Sequence, residues 1–201
     1  MDSKKRDLAR YQASQELVHA LRGVVEEVHF DRMTRLVYST DASIYQMIPV
    51  GVAIPRNAEE VSAAIEIASK HDVPVLARGG GSSLAGQAVG NALILDLSRY
   101  MNEIIEIDPE ALRVRTQPGI TRHALNKSLL LHGLMYGPDP ASGDRATVGG
   151  MLANNSTGAH SILYGMTDQH VISTDVVLAD GSTAFFGAVE KKGLASRERR
   201  P

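Results

Sequence analysis

The stretch VPVLARGGGSSLAGQA, residues 73–88, decides how the rest of the chain is read. A short apolar run of strand type leads into three consecutive glycines. Beyond Gly86 the chain runs into NALILDLS, almost continuously apolar from Ala92 to Leu97, which reads as a central strand rather than a helix. A doubly wound dinucleotide loop needs G-x-G-x-x-G between a strand and a helix, so that a diphosphate meets the helix N-terminus. Counted from Gly79, the last glycine position falls on Leu84, and no helix follows. The Walker spacing begins with Gly81 and Gly86, but Gln87 and Ala88 stand where Lys and Ser or Thr would hold triphosphate and magnesium. What remains is strand, open loop, strand, and two readings of the loop. The N–H groups of Gly79, Gly80 and Gly81, with the hydroxyls of Ser82 and Ser83, form a nest for a phosphate or diphosphate, or the glycines make a flexible or tight turn. Arg78 has two readings as well: a charge-assisted contact to such an anion, or a surface salt bridge at the strand end.

Upstream, Ser14 caps a helix over SQELVHALRGVV with Leu17, Leu21 and Val24 on one face, and Asp31 caps a short helical turn. Asp41 to Tyr45 reads as a loop. VGVAIP is a buried strand ended by Pro55. NAEEVSAAIEIASKHD is the clearest helix: Asn57 and Glu60 have capping-box spacing, and Val61, Ala64, Ile65 and Ala68 share a face. Downstream, NEIIEID and LRVRTQPG alternate as an antiparallel pair. Thr121 caps RHALNKSLLLHG, whose stripe of Ala124, Leu125, Ser128, Leu129 and Leu131 ends at Gly133. A polar stretch from Met135 to Gly165 is rich in Gly, Pro, Ser and Asn, and TVGGML within it marks an ordered loop carrying a short helix. HVISTDVVLADGSTAFFGAV closes as strand, turn and strand.

With 201 residues the chain can form a single domain that buries about 70% of its unfolded surface. It has no cysteine, which excludes disulfides, thiolate metal sites, iron–sulfur ligation and a cysteine nucleophile in this chain. No run approaches the ~18 apolar residues of a membrane helix, and MDSKKRDLARYQ has no apolar segment behind its charges. A net charge of -2 gives no bulk attraction for nucleic acid, and six Tyr and three Phe without Trp make no stacking platform. Asp139 and Asp144 lack the compact acidic spacing of a calcium loop, so no metal is expected. The second glycine-dense loop, ATVGGMLANNSTG, is separated from the first by sheet elements, and the two can line opposite sides of one elongated cofactor.

Taken together, RGGGSSLAGQ, ILDLSRYMNEI, VRTQPG, YGPDPAS, ATVGGMLANNSTG and YGMTDQHVISTDVVLADG resemble the flavin-binding half of the FAD-linked oxidases and dehydrogenases. That superfamily includes vanillyl-alcohol oxidase and p-cresol methylhydroxylase, and the likeness is nearest to D-lactate, glycolate and related 2-hydroxy-acid dehydrogenases. It covers Tyr38 to Val189. The resemblance implies an α+β fold of two subdomains, of the p-cresol methylhydroxylase type. A helical lead-in spans 1–45, an FAD-binding domain 46–189, and a disordered tail or truncation point 190–201, with a basic binding patch as the other reading of that tail.

By that resemblance, the loop of Arg78, Gly79, Gly80, Gly81, Ser82 and Ser83 wraps the FAD pyrophosphate. Pro138 and Ser142 lie along the flavin-side approach, Gly149, Gly150, Asn154 and Gly158 approach the cofactor, and Gly119 and Ile172 lie near the adenylate. Members that attach FAD through a histidine in the first loop have it where this chain continues Gly80, Gly81, Ser82, so noncovalent FAD is expected. The implied function is the FAD-binding portion of an oxidoreductase that converts a 2-hydroxy acid such as D-lactate or glycolate to the 2-oxo acid. The alternative is a non-catalytic flavin-binding or electron-transfer module that needs a partner. An iron–sulfur or quinone acceptor is implied, with a cytoplasmic placement that is peripheral to a membrane only through a partner. The substrate cap of relatives follows the position where this chain stops, so the chain reads as a fragment or one component, and no catalytic residue is assigned. His160 and His170 are read as structural or supporting in preference to catalytic, and His123 as simply exposed.

Overall fold

A computed structural model describes residues 13–188. Four strands, Val28–His29 (β1), Gly51–Ala53 (β2), Val75–Arg78 (β3) and Leu93–Asp96 (β4), form a sheet in the order β1-β2-β4-β3. β2, β4 and β3 run parallel, and β1 is antiparallel on the outer side of β2. β4 is central and buried along its whole length. Side chains alternate across a strand, so Leu93 and Leu95 enter one layer and Ile94 the other. The first layer contains Leu17 and Leu21 of the helix Gln15–Arg22 (α1), Val25, and Val61, Ala64 and Ala68 of the helix Ala58–Lys70 (α3). The second packs Ile94 against Val52, Ile54, Tyr38 and Leu76. The described part of the lead-in thus shares its core with the first sheet.

Local signals place these elements. Ser14 caps α1 by accepting from the Leu17 N–H at 3.1 Å, and Asp31 caps the helix Arg32–Val37 (α2) through the Thr34 N–H at 2.9 Å. α1 stops at Arg22, so Val24 is 38% exposed and Val25, at 1%, fills the core instead. Asn57 caps α3 through the Glu60 N–H at 2.8 Å, but Glu60 reaches back to the Arg56 N–H at 3.1 Å, one residue before the position a capping box requires. Thr40 and Gln46 pair as an isolated bridge that closes the loop between them.

Parallel strands of one sheet need a crossover, which is usually a helix. α3 serves β2 to β3, whereas β3 and β4 are joined by residues 79–92, the glycine loop, with no helix or strand in it.

The second half is built from hairpins and short helices. Ile104–Asp108 (β5) pairs with Arg113–Thr116 (β6), and Ser173–Val177 (β7) with Thr183–Gly187 (β8), both antiparallel. Between them lie the helices Arg122–Leu129 (α4), Val148–Ala153 (α5) and Ser161–Tyr164 (α6). A register shift between Ile104 and Glu106 turns both Ile104 and Ile107 onto a core of Ile120, Leu125 and Leu129, and leaves Ile105 59% exposed. Thr121 caps α4 through the Ala124 N–H at 3.2 Å. The stripe expected through Leu131 ends sooner: a tighter turn over Leu130–His132 rotates Leu131 to 85% exposure before Gly133 closes it in the left-handed region. The polar stretch from Met135 is ordered, carrying α5 and α6.

The halves are tied where the β7–β8 turn sits on α3. The Ser62 hydroxyl donates to the Gly181 carbonyl, Gly181 is buried at φ 86°, and Val177 packs on the first core. Arg115 pairs with Asp175 at 2.8 Å between the two hairpins. The architecture is mixed α+β with two subdomains. The tail reading for 190–201 lies outside the described residues.

Candidate cofactor site

The C-terminal ends of parallel strands, where an open sheet offers a crevice, converge here on the glycine loop. Among the described residues, none of the amides of Gly79, Gly80, Gly81, Ser82 and Ser83 donates to a protein group. None of these residues is buried, so the amides face solvent, and a run of them suits an anion. Neighbouring segments press closely on the loop. A side chain at Gly79 would collide with Thr147, and one at Gly80 with the Arg145 carbonyl. The first loop therefore packs directly against the start of the second, and those glycines let two backbones meet.

The guanidinium of Arg78 faces chain carbonyls rather than an acidic side chain. It donates to the carbonyls of Ala88 at 2.7 Å, Thr40 at 2.9 Å and Tyr38 at 3.3 Å, and makes no salt bridge among the described residues. Asp41 joins this cluster by accepting from Ala88 N–H at 3.3 Å. Its carboxyl stays below the usual range, because burial pulls it up less than the bonds from Ser43 and Ala88 pull it down. Beneath lies Asp96, 7% exposed, accepting from Tyr38 Oη at 2.6 Å and from the Ser98 N–H and hydroxyl at 2.8 and 2.6 Å. Burial first, and then that bond to Asp96, push the Tyr38 hydroxyl well above its ordinary range.

Gly80 and Gly119 open onto one cleft of about 530 Å³, walled also by Ser98, Asn102, Thr121 and Thr147. Gly119 donates to Met101 O at 2.7 Å, and its Cα faces the Leu97 carbonyl too closely for a side chain. Gly149 packs on Pro118 and donates to its carbonyl at 2.8 Å. Thr147 caps α5, accepting from Gly150 N at 3.3 Å. Asn154, at the end of α5, accepts from Gln87 at 2.9 Å and so bridges the two glycine-rich loops. Pro138, Ser142 and Gly158 gather elsewhere: Pro138 O accepts from Arg122 at 2.6 Å, Ser142 O accepts from Arg145 and Ala146 N–H, and Gly158 abuts Asp139. Ile172, 58% exposed ahead of β7, is not among the cleft walls.

The histidines have ordinary partners. His160 Nδ1 pairs with Asp139, and that hydrogen bond holds the Asp139 carboxyl below its usual range. His170 Nε2 bonds to Tyr164 O at 2.7 Å, and exposed His123 lies 3.8 Å from Asp144. Among the described residues no cluster of three or more His, Cys, Asp or Glu can hold a metal, and no helix is long and apolar enough to cross a membrane. Ser98, Asn102 and Thr147 were not singled out from sequence. The signal for Ser98 and Asn102 was their place just after the central parallel strand.

A crossover made only of loop, unpartnered amides on it and a second glycine-bearing helix against it belong to a fold shared with p-cresol methylhydroxylase, and the sequence matches an FAD-binding domain. The chain belongs to the FAD binding domain family, whose model matches residues 49–187. It is 37% identical over 171 residues to D-2-hydroxyglutarate dehydrogenase of Pseudomonas putida, covering 83% of this chain and 17% of that protein. It is 40% identical over 164 residues to glycolate oxidase subunit GlcD of Bacillus subtilis, covering 80% of this chain and 35% of that protein. Among solved structures, alkyldihydroxyacetonephosphate synthase superposes with a TM-score of 0.78 at 25% identity, over 90% of this chain and 36% of that one. p-Cresol methylhydroxylase with substrate bound gives 0.76 at 22% identity, over 86% and 36%. The chain thus spans a small part of each relative's length.

Proposed function

We propose that this chain is the FAD-binding portion of an oxidoreductase that converts a small D-2-hydroxy acid to its 2-oxo acid, with FAD held noncovalently. The unpartnered amides of residues 79–83 carry the binding half of the reading. They receive the negative diphosphate, and Ser82 and Ser83 supply hydroxyls beside them. The cleft bounded by Gly80, Gly119, Ser98 and Thr147 takes the adjoining part of the cofactor. Asn154, whose side-chain oxygen is held by Gln87, presents its neutral amide NH2 from the end of α5, and Gly150 leaves room for close approach. When bound, FAD supplies a hydride acceptor and a route for electrons to a quinone or iron–sulfur acceptor. The choice of 2-hydroxy acid rests on the names of the relatives, a D-2-hydroxyglutarate dehydrogenase and a glycolate oxidase subunit.

The test is nucleotide titration of the stripped chain, followed by anaerobic bleaching with D-lactate, L-lactate, glycolate and D-2-hydroxyglutarate. FAD is expected to bind in preference to FMN, NAD and ATP, and to leave freely on heat denaturation. Preference for NAD refutes the binding assignment, and flavin that stays attached to denatured protein refutes the noncovalent one. Bleaching by a D-2-hydroxy acid, in this chain or in a version extended through its downstream coding sequence, supports the substrate class. Failure of both to bleach favours the electron-transfer reading.

A further inference from the structure

We propose that Arg78 is a positioning residue for the anion-binding loop: its guanidinium ties three chain segments together and holds the amides of residues 79–83 in place without touching the diphosphate. The binding of FAD itself rests on the preceding reading; the role of Arg78 in the free chain does not.

Three backbone carbonyls converge on this one side chain, from Tyr38, Thr40 and Ala88. The Tyr38 ring stacks 5.2 Å from its guanidinium carbon. The glycine loop lies directly on it: Gly81 is at φ 63°, and a Cβ there would stand 2.6 Å from Nη2. Segment 38–42 is bonded to the loop a second time, through the Ala42 N–H to Gly81 O at 3.1 Å, and to its far end through Asp41 and the Ala88 N–H.

These ties fix amide direction. In a trans peptide the C=O and the following N–H point oppositely, so a Gly81 carbonyl held toward Ala42 turns the Ser82 N–H away from segment 38–42. The amides are thereby kept off internal partners and available to a ligand. Both Nη atoms of Arg78 are engaged by chain carbonyls. A planar guanidinium spans separated carbonyls in fixed geometry, whereas a lysine ammonium is a single point on a flexible stem.

The experiment compares wild type with Arg78→Lys, which keeps the charge, and Arg78→Gln, which keeps one donor. Amide hydrogen exchange is read in the FAD-free chain and FAD affinity by fluorescence titration. Both variants are expected to speed exchange at the bonded amides of Ala42, Ser43, Met47, Gln87 and Ala88 by about tenfold or more while β4 stays protected, and to weaken FAD binding by roughly tenfold or more. Wild-type affinity in Arg78→Lys overturns the proposal. So does lost affinity with unchanged exchange, which marks direct contact with the anion, and so does unfolding of both variants, which marks a scaffold role for the whole domain. A wild-type chain that binds no FAD refutes the functional reading instead, and the exchange rates still decide the role of Arg78.

Discussion

Replacing Gly81 with alanine separates backbone strain from loop contact, because Gly133 offers a matched control. Both sit in the left-handed region, at φ 63° and 69°. An L-residue there costs about 1–2 kcal/mol. At Gly133 nothing lies within 4 Å of a new Cβ. At Gly81 that atom stands 2.6 Å from Arg78 Nη2 and 3.1 Å from its Cζ, so the guanidinium must retreat and surrender at least one carbonyl bond. A hydrogen bond to a charged donor contributes about 1.5–3 kcal/mol. Gly81→Ala is therefore expected to penalise the loop geometry by about 3 kcal/mol or more, read as a roughly hundredfold rise in the FAD Kd. Gly133→Ala is expected to lower stability by about 1–2 kcal/mol with FAD affinity unchanged. Fluorescence titration gives the affinities, and urea melts of the FAD-free variants give the stabilities. Affinities within twofold of each other would refute the argument, because both variants carry the same dihedral strain.

Tyr38→Phe removes the phenolic donor to nearly buried Asp96, and urea unfolding should show a loss of about 1.5–3 kcal/mol. Met151→Ala opens a cavity under α5, where Met151 is 1% exposed; a loss of about 2–5 kcal/mol is expected in the same assay, with weaker FAD binding because α5 carries Asn154. For Asp139 the folded pKa is depressed, so its contribution is full above the unfolded value near ~4 and is lost as pH falls through the folded one. The Tm of Asp139→Asn should therefore lie below wild type at neutral pH and converge with it under acid. A constant gap down to about pH 2.5 would contradict that sign.

Sequence reading reached the elements whose signals are local. The caps at Ser14, Asp31, Asn57 and Thr121 and the apolar run of β4 each lie within a few residues of what they determine. It did not reach β1, a two-residue strand whose pairing with β2 is set from outside the segment, nor the register shift that separates Ile105 from its neighbours. At the site, Leu84 at the last glycine position and Gln87 and Ala88 in place of Lys and Ser or Thr were enough to set aside a doubly wound dinucleotide loop and a Walker loop. They did not show that Gly79 and Gly80 face the backbone and side chains of residues 145–147, since that contact exists only once both halves have folded. The carbonyl contacts of Arg78 were out of reach for the same reason: its three acceptors come from segments 10 to 40 residues away.

The seating of the β7–β8 turn on α3 bears on where foreign sequence can be spliced in. ADGS looks like a standard hairpin tip, the kind of place chosen for an epitope tag or a fluorescent reporter. Gly181 is instead buried, with the Ser62 carbonyl 3.0 Å and the Glu66 Cβ 3.2 Å from where a side chain would begin. A passenger inserted there would prise the hairpin off the helix and separate the two subdomains that frame the cleft. The β5–β6 tip at residues 109–112 is exposed throughout, with Leu112 at 71%, and is the hairpin that can carry such a load.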